Sequence, residues 1–153
     1  MARRPIPVPP AATLHGNPDD VEAQFYEALQ RADIERLMAL WADDDEIVCV
    51  HPGGGRLIGA AAIRASFEAI FVGGGIPVRP EQVHRLQQLG GALHHLVERI
   101  EVRSEKGIQV AWVLTTNLYV KTAQGWRLAS HHASPGSPHE PPAMGDDAPA
   151  TLH

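Results

Sequence analysis

This 153-residue sequence contains nine histidines and a single cysteine, and histidine is the side chain that most readily transfers protons near neutral pH. His51 is the first candidate, because it ends a run of strand-forming residues directly before Pro52 and a cluster of glycines. An imidazole at a strand end beside a turn can exchange a proton near neutral pH, since its ordinary pKa is about 6.5. His51 is therefore predicted to be either a proton-transfer group or a structural histidine held by hydrogen bonds.

The last apolar run supplies a second candidate, because successive residues of a strand point to opposite faces. His132 then shares a side with Trp126, and Trp112 and Thr116 share the apolar side of the preceding run. With Trp41, these aromatic residues would wall a cavity suited to flat apolar ligands. For each tryptophan the alternative is plain core packing.

Metal and cofactor chemistry are not expected. Adjacent members of the pairs His94-His95 and His131-His132 point to opposite strand faces, and no Asp or Glu in ligand spacing accompanies them. Cys49, as a single cysteine, excludes an intramolecular disulfide and indicates a reducing compartment. The glycine clusters at 53–55 and 73–75 lack the spacing of phosphate-binding loops, so they are read as turns, the second as a mobile lip.

Composition and charge exclude some classes of binding partner and location. The net charge of −5 argues against nucleic-acid binding, and no apolar run is long enough to span a membrane. The first ten residues lack the apolar stretch of a secretory signal, so a cytoplasmic location is expected. Nine of the 13 prolines lie in residues 1–16 and 135–153, which are predicted to be flexible tails around a folded domain at 17–134.

The first elements of the folded part are predicted to be helices. Asn17, Pro18 and two aspartates form a helix-start signal, and Asp33 offers a second N-cap for a helix ending near residue 42. A strand is predicted at 46–51, and a third helix at 60–71.

From residue 78 onward the pattern has period two. Turn signals at 90–91, 106–107 and 124–125 separate four predicted strands. The run 108–120 places an apolar residue or threonine at every second position, which predicts an antiparallel strand with that set of residues buried. The predicted fold class is therefore α+β, with helices layered on an antiparallel sheet.

Three stretches resemble the nuclear transport factor 2-like superfamily, particularly its SnoaL-like members: 28–45 (ALQRADIERLMALWADDD), 51–67 (HPGGGRLIGAAAIRASF) and 125–135 (GWRLASHHASP). The resemblance implies a cystatin-like roll, in which a curved antiparallel sheet forms a cone around the N-terminal helices and leaves a cavity open at one end. It also implies a homodimer formed through the sheet face that turns away from the cavity.

The last stretch is also similar to the end of the association domain of calcium/calmodulin-dependent kinase II, with Trp126, His132 and Ser134 at the matching positions. That domain assembles subunits and is not an enzyme. The superfamily therefore contains both catalysts and scaffolds, and the fold alone does not choose between them.

Ketosteroid isomerases of the same superfamily carry an Asp base in the position of His51, before Pro52. Their first-helix tyrosine matches Phe25, with Tyr26 one residue away, which corresponds to a rotation of about 100° on a helix. Their second donor, a carboxylic acid on a later strand, has no counterpart in residues 108–122. The resemblance therefore does not predict an intact isomerase site.

Two functions remain open, and so does the question whether the chain is an enzyme. The first is a dimeric, cofactor-free domain that binds a small apolar or aromatic molecule and transforms it by acid–base chemistry of isomerase, lyase or hydrolase type. His51 would transfer the proton, and His132 or Tyr26 would be the polarising donor. A solvent-reachable pocket shared by both histidines would favour this function, whereas a filled core would contradict it.

The second function is a non-catalytic association module. In this hypothesis the dimer forms through the sheet face that carries Asn117, Tyr119, Arg127 and His131.

Overall fold

The computed structural model describes residues 16–139 and 141–142. Most of the predicted N-terminal tail, and residues 140 and 143–153 of the predicted C-terminal tail, lie outside the described residues. The helices are α1 (Pro18–Arg31), α2 (Ile34–Ala39) and α3 (Ala60–Phe71). The strands are β1 (Val48–Val50), β2 (Arg56–Ile58), β3 (Val78–Gln87), β4 (Gly91–Ser104), β5 (Gly107–Thr122) and β6 (Gly125–Pro135).

Local signals explain where the helices begin. The Asn17 side chain accepts a hydrogen bond from the Asp20 N–H at 3.0 Å, which caps α1 as the sequence predicts. Asp33 caps α2 in the same way by accepting from the Arg36 N–H at 3.1 Å. Gly59 precedes α3 with a φ of 90°, a backbone conformation that favours glycine. The predicted bounds of α3 are confirmed, while α2 ends three residues earlier than predicted.

The strands form a six-stranded sheet in the order β2-β1-β6-β5-β4-β3. The four long strands and the turns between them match the prediction. The sequence did not indicate β2, and β1 pairs with β6 in parallel, whereas the other pairs are antiparallel. A curved, unclosed sheet around the helices confirms the predicted α+β cone fold. No helix in the described part of the chain is long and apolar enough to cross a membrane.

The inside of the cone is packed around Phe25 of α1, which is fully buried. Its ring makes edge contacts with Tyr26, Trp41 and Phe67 at centroid distances of 5.3, 6.5 and 6.4 Å. Further residues of α2, α3 and the strands complete this core, among them Leu37, Leu40, Ile47, Ile63, Leu96 and Leu128. The core is therefore filled by side chains from both layers.

On β5 the buried and exposed faces are the reverse of the prediction. On β5 the buried residues that face α1 are Thr115, Asn117 and Tyr119, each fully buried. Leu114 and Leu118 lie on the outer face and are 36% and 37% exposed. The polar set can be buried because hydrogen-bond partners on α1 and on neighbouring strands satisfy it.

A β-bulge moves His132 to the outer face. The pairing of β5 with β6 shifts between Leu118 and Tyr119, which leaves Ala129 as the extra residue of β6. The alternation that starts at Trp126 is therefore broken before His132. Trp126 is buried in the core, whereas His132 is exposed on the opposite side of the sheet.

Candidate functional site

The interior of the cone contains a hydrogen-bonded pair of acidic side chains. Tyr26 on α1 donates its hydroxyl hydrogen to Oε2 of Glu98 on β4 at 2.7 Å. The two residues are 1% and 5% exposed. Tyr26 lies inside because it sits on the side of α1 that also carries Phe25 and Leu29, all three in contact with the core. The expected rotation of Tyr26 away from the cavity is not observed.

A directed chain of hydrogen bonds leads into this pair. Asn117 donates from Nδ2 to the Tyr26 hydroxyl oxygen at 3.2 Å, and its Oδ1 lies 2.6 Å from Nδ1 of His131. Because an amide oxygen only accepts, His131 must carry its proton on Nδ1. Nε2 of His131 then carries a lone pair 3.9 Å from Glu98 Oε2, too far for a hydrogen bond, so the chain runs from His131 through Asn117 and Tyr26 and ends at Glu98.

Burial shifts the proton affinities in this cluster. Loss of solvent raises the pKa of Glu98 to about 6, although the hydrogen bond from Tyr26 acts in the opposite direction. Burial also lowers the pKa of His131 to about 3, with a smaller contribution from His51 and His132. Glu98 can therefore change its charge near neutral pH while His131 stays neutral.

His51 lies next to the cluster, at the end of β1, and is half-buried. Its Nε2 is 3.0 Å from Oγ of Ser66, which donates its own hydrogen to the carbonyl oxygen of Ile63. His51 therefore donates from Nε2 and keeps Nδ1 as its proton acceptor. Burial lowers its pKa, so the ring is a neutral base at pH 7.

Cys49 is a buried neighbour of His51. The thiol lies 3.8 Å from His51 Nε2, and burial, assisted by the charge of Glu98, raises the pKa of Cys49 to about 12. The thiol is consequently not a nucleophile at neutral pH.

A second polar cluster occupies the other end of α1. Glu22 accepts hydrogen bonds through Oε2 from the Tyr119 hydroxyl at 2.6 Å and from His94 Nδ1 at 2.9 Å. Asp19, one turn earlier, lies 4.0 Å from His94 Nε2 and accepts from Arg85 Nε at 2.7 Å. The fold thus brings two carboxylates to His94 that lie 72 or more residues away in the sequence. A short-range spacing of metal-ligating residues in the sequence could not indicate such a cluster.

The other predicted site residues are divided between the core and the surface. Trp41 and Trp126 pack in the core. Trp112 lines an open surface pocket near the end of β6, and Thr116 and His132 lie together in a groove on the outer face. His132 lines the outer groove, which is lined neither by Tyr26, buried inside the cone, nor by His51, at the end of β1.

Sequence reasoning missed Glu98, Asn117 and His131 as partners of Tyr26. A usable signal lies in α1, where Glu22 and Tyr26 are one turn apart beside the apolar stripe. Polar groups at that position on a buried helix need partners inside the core. The polar alternation of β5, with Thr115 and Asn117, supplies them.

Comparison with known proteins then decides the family. Residues 19–138, most of the chain, match the SnoaL-like domain. The chain therefore belongs to the SnoaL-like family. No curated protein is significantly similar to it.

Solved structures of similar proteins agree with this family. A Thiobacillus denitrificans protein assigned as a calcium/calmodulin-dependent protein kinase type II association domain is 32% identical, with a TM-score of 0.72 over 79% of this chain and 96% of that one. A Streptomyces avermitilis protein assigned as a dehydratase of the nuclear transport factor 2-like family is 30% identical, with a TM-score of 0.69 over 77% and 93%.

A ketosteroid isomerase-like protein of Erwinia carotovora atroseptica shares the fold, with 19% identity and a TM-score of 0.62 over 78% and 93% of the two chains. The similar solved structures thus include an assigned dehydratase and an assigned association domain, and the function has to be argued from the residues of this chain.

Proposed function

We propose that this SnoaL-like chain is an association domain whose outer sheet face pairs with a second copy of itself. The observation that carries the proposal is the reversed burial of β5, which buries Asn117 and turns Leu114 and Leu118 outward. A groove of about 520 Å³ on that face is lined only by uncharged residues and histidines: Leu93, His95, Leu114, Thr116, Leu118, Ser130, His132 and Ser134.

The charge distribution favours a second copy as the occupant. The chain carries a net charge of −5, so two copies repel each other over most approaches. The groove contains no Asp, Glu, Lys or Arg, and a two-fold pairing there brings neutral surfaces together. Leu93, Leu114 and Leu118, each more than a third exposed, would complete their burial in such a pairing.

This is the sheet face turned away from the helices, as the resemblance implies, but the residues predicted to form the association surface do not lie on it. Asn117, Tyr119, Arg127 and His131 are buried within the protein and cannot meet a partner. His132 and Thr116, predicted to line a ligand cavity, belong in this proposal to the centre of the association surface. The 32% identity to an assigned association domain supports the same function.

The test is the mass of the protein in solution, measured by sedimentation or by light scattering. Glu in place of Leu118 would lie in the interface twice, once from each copy, where an unpaired buried charge costs several kcal/mol. We expect Leu118→Glu to weaken association by at least about 3 kcal/mol, or more than about 100-fold in Kd.

Val72→Glu is the matched control, since Val72 is 88% exposed at the end of α3, away from the sheet. It should leave association unchanged. A monomeric parent protein, or equal weakening by both variants, would contradict the proposal.

A second function is favoured by the Tyr26–Glu98 pair. The Tyr26 hydroxyl and the Glu98 carboxyl, whose pKa is about 6, could polarise and protonate a small molecule. Neutral His51 would be the base. The filled core counts against this function, because the side chains around Phe25 and Phe67 would have to open for a ligand to reach these buried groups.

The probe for this second function is 2-naphthol, a flat aromatic molecule with one acidic hydroxyl. Saturable binding that disappears in Tyr26→Phe and His51→Ala would favour it. Absence of binding would argue against the acid–base function, and association would then be the one proposed function that remains. Both functions are compatible with the expected cytoplasmic location and with the reducing compartment that a single cysteine favours.

A further inference from the structure

We infer that the cluster of Asp19, Glu22 and His94 is a binding site for a divalent transition-metal cation such as Zn²⁺. The ligand atoms of these residues lie within 4.8 Å of one another. Histidine nitrogen and carboxylate oxygen are donors that zinc accepts in proteins. This site is separate from the association surface and from the Tyr26–Glu98 pair.

The decisive observation is that the buried ring nitrogen Nε2 of His94 lacks a hydrogen-bond partner among the described residues. The His94 side chain is 1% exposed. In the neutral imidazole, donation of the Nδ1 hydrogen to Glu22 leaves Nε2 with a lone pair. That lone pair faces Asp19 Oδ1 at 4.0 Å, so two acceptors point at each other with no donor between them.

A metal ion resolves this arrangement. Zinc lies about 2.0–2.2 Å from nitrogen and oxygen ligands, so an ion between His94 Nε2 and Asp19 Oδ1 needs only a small adjustment of the 4.0 Å separation. Asp19 can supply that adjustment because its side chain is 54% exposed on the first turn of α1. The same exposure gives the ion a path from solvent and room for water ligands.

Glu22 is a positioning residue in this site. A carboxylate that accepts the Nδ1 hydrogen of a metal-binding imidazole fixes its tautomer and orientation, and it increases the basicity of the ligand nitrogen. Glu22 is itself held by the Tyr119 hydroxyl at 2.6 Å. The ring of His94 is therefore already oriented toward the position of the ion.

Arg85 competes with the ion for Asp19. Its Nε donates to Asp19 Oδ1 at 2.7 Å, and the guanidinium is 49% exposed, so it can move into solvent when a metal binds. The competition has a testable sign, because removal of the Arg85 charge must increase metal affinity. An interpretation of the cluster as a purely structural ion-pair network predicts no such gain.

The experiment is calorimetric titration of the full chain with ZnCl₂ at pH 7.5. We expect one saturable site per chain, weakened at least tenfold by His94→Gln and by Asp19→Asn. Arg85→Gln should bind several times more tightly than the parent. His95→Gln is the matched control, since His95 is the next residue on β4 but lies exposed on the outer face.

Circular dichroism verifies that each variant is folded. If His94→Gln does not fold, Asp19→Asn and Arg85→Gln test the site without altering a buried residue. No binding by the parent, equal binding by Asp19→Asn, or loss of binding in His95→Gln would overturn the inference. The last result would place the ion on the outer histidines instead.

Discussion

Replacing Glu98 by Gln should stabilise the protein at high pH. The substitution keeps the shape of the side chain, and the amide oxygen can still accept the 2.7 Å hydrogen bond from Tyr26. What it removes is a carboxylate that has to be buried in its charged form above its pKa. In the native protein that carboxyl is 5% exposed, and nothing but neutral groups donates to it.

The magnitude follows from linkage between protonation and folding. The pKa of Glu98 is about 6 in the folded protein against 4.5 for an ordinary glutamate, which corresponds to about 2 kcal/mol. The folded state binds the proton more tightly than the unfolded chain does. Glu98 therefore lowers the free energy of unfolding as the pH rises from about 4.5 to about 6, and the full loss persists above that.

The assay is urea unfolding of both proteins at about pH 4 and pH 8. The stability of Glu98→Gln relative to the parent should rise by about 2 kcal/mol between these pH values. Every other titrating group, His131 included, is present in both proteins and cancels in the difference. Glu105→Gln, in the exposed β4–β5 turn, should show little such change.

A stability difference that is the same at both pH values would refute the reasoning. It would mean that Glu98 is charged or solvated in the folded protein to the same extent as in the unfolded chain.

Two further predictions concern packing. Cys49 should resist iodoacetamide at pH 8 in the folded protein and react after unfolding in urea. The reason is that burial raises the thiol pKa from 9.0 to about 12, which reduces the thiolate population about a thousandfold. Rapid labelling of the native protein would contradict this prediction. Gly75→Ala should destabilise by about 1–3 kcal/mol in thermal unfolding, since a Cβ there would overlap the backbone carbonyl of Gln30. Gly90→Ala, where a Cβ meets nothing within 4 Å, is the control, and equal effects would be inconsistent with the close approach at Gly75.

The helices and the long strands could be predicted because their signals are local. Asn17 and Asp33 cap helices with their own side chains, and glycine turns separate the long strands. The short strand β2 and the parallel pairing of β1 with β6 could not be predicted in this way. They depend on which segments meet after the helices have packed, and three-residue strands carry little pattern.

The faces of the sheet were the hardest feature to predict. Alternation divides β5 into two sets, but it does not say which set faces the helices. The usual rule buries the apolar set, and here it fails because Tyr26 and Glu22 on α1 provide partners for Asn117 and Tyr119. The bulge at Ala129 adds a second error, since one extra residue reverses every assignment after it.

The reversed sheet also connects stability with association. A buried carboxylate such as Glu98 or Glu22 costs free energy that an apolar residue would not, and hydrogen bonds offset that cost only in part. The leucines that an ordinary sheet would bury against its helices lie on the outside, where they stabilise the chain only when something covers them. A second copy that binds the folded state and not the unfolded one would raise the stability of both. The polar residues that β5 buries and the leucines that it exposes are thus two sides of one arrangement, in which part of the free energy of folding is expected to come from association.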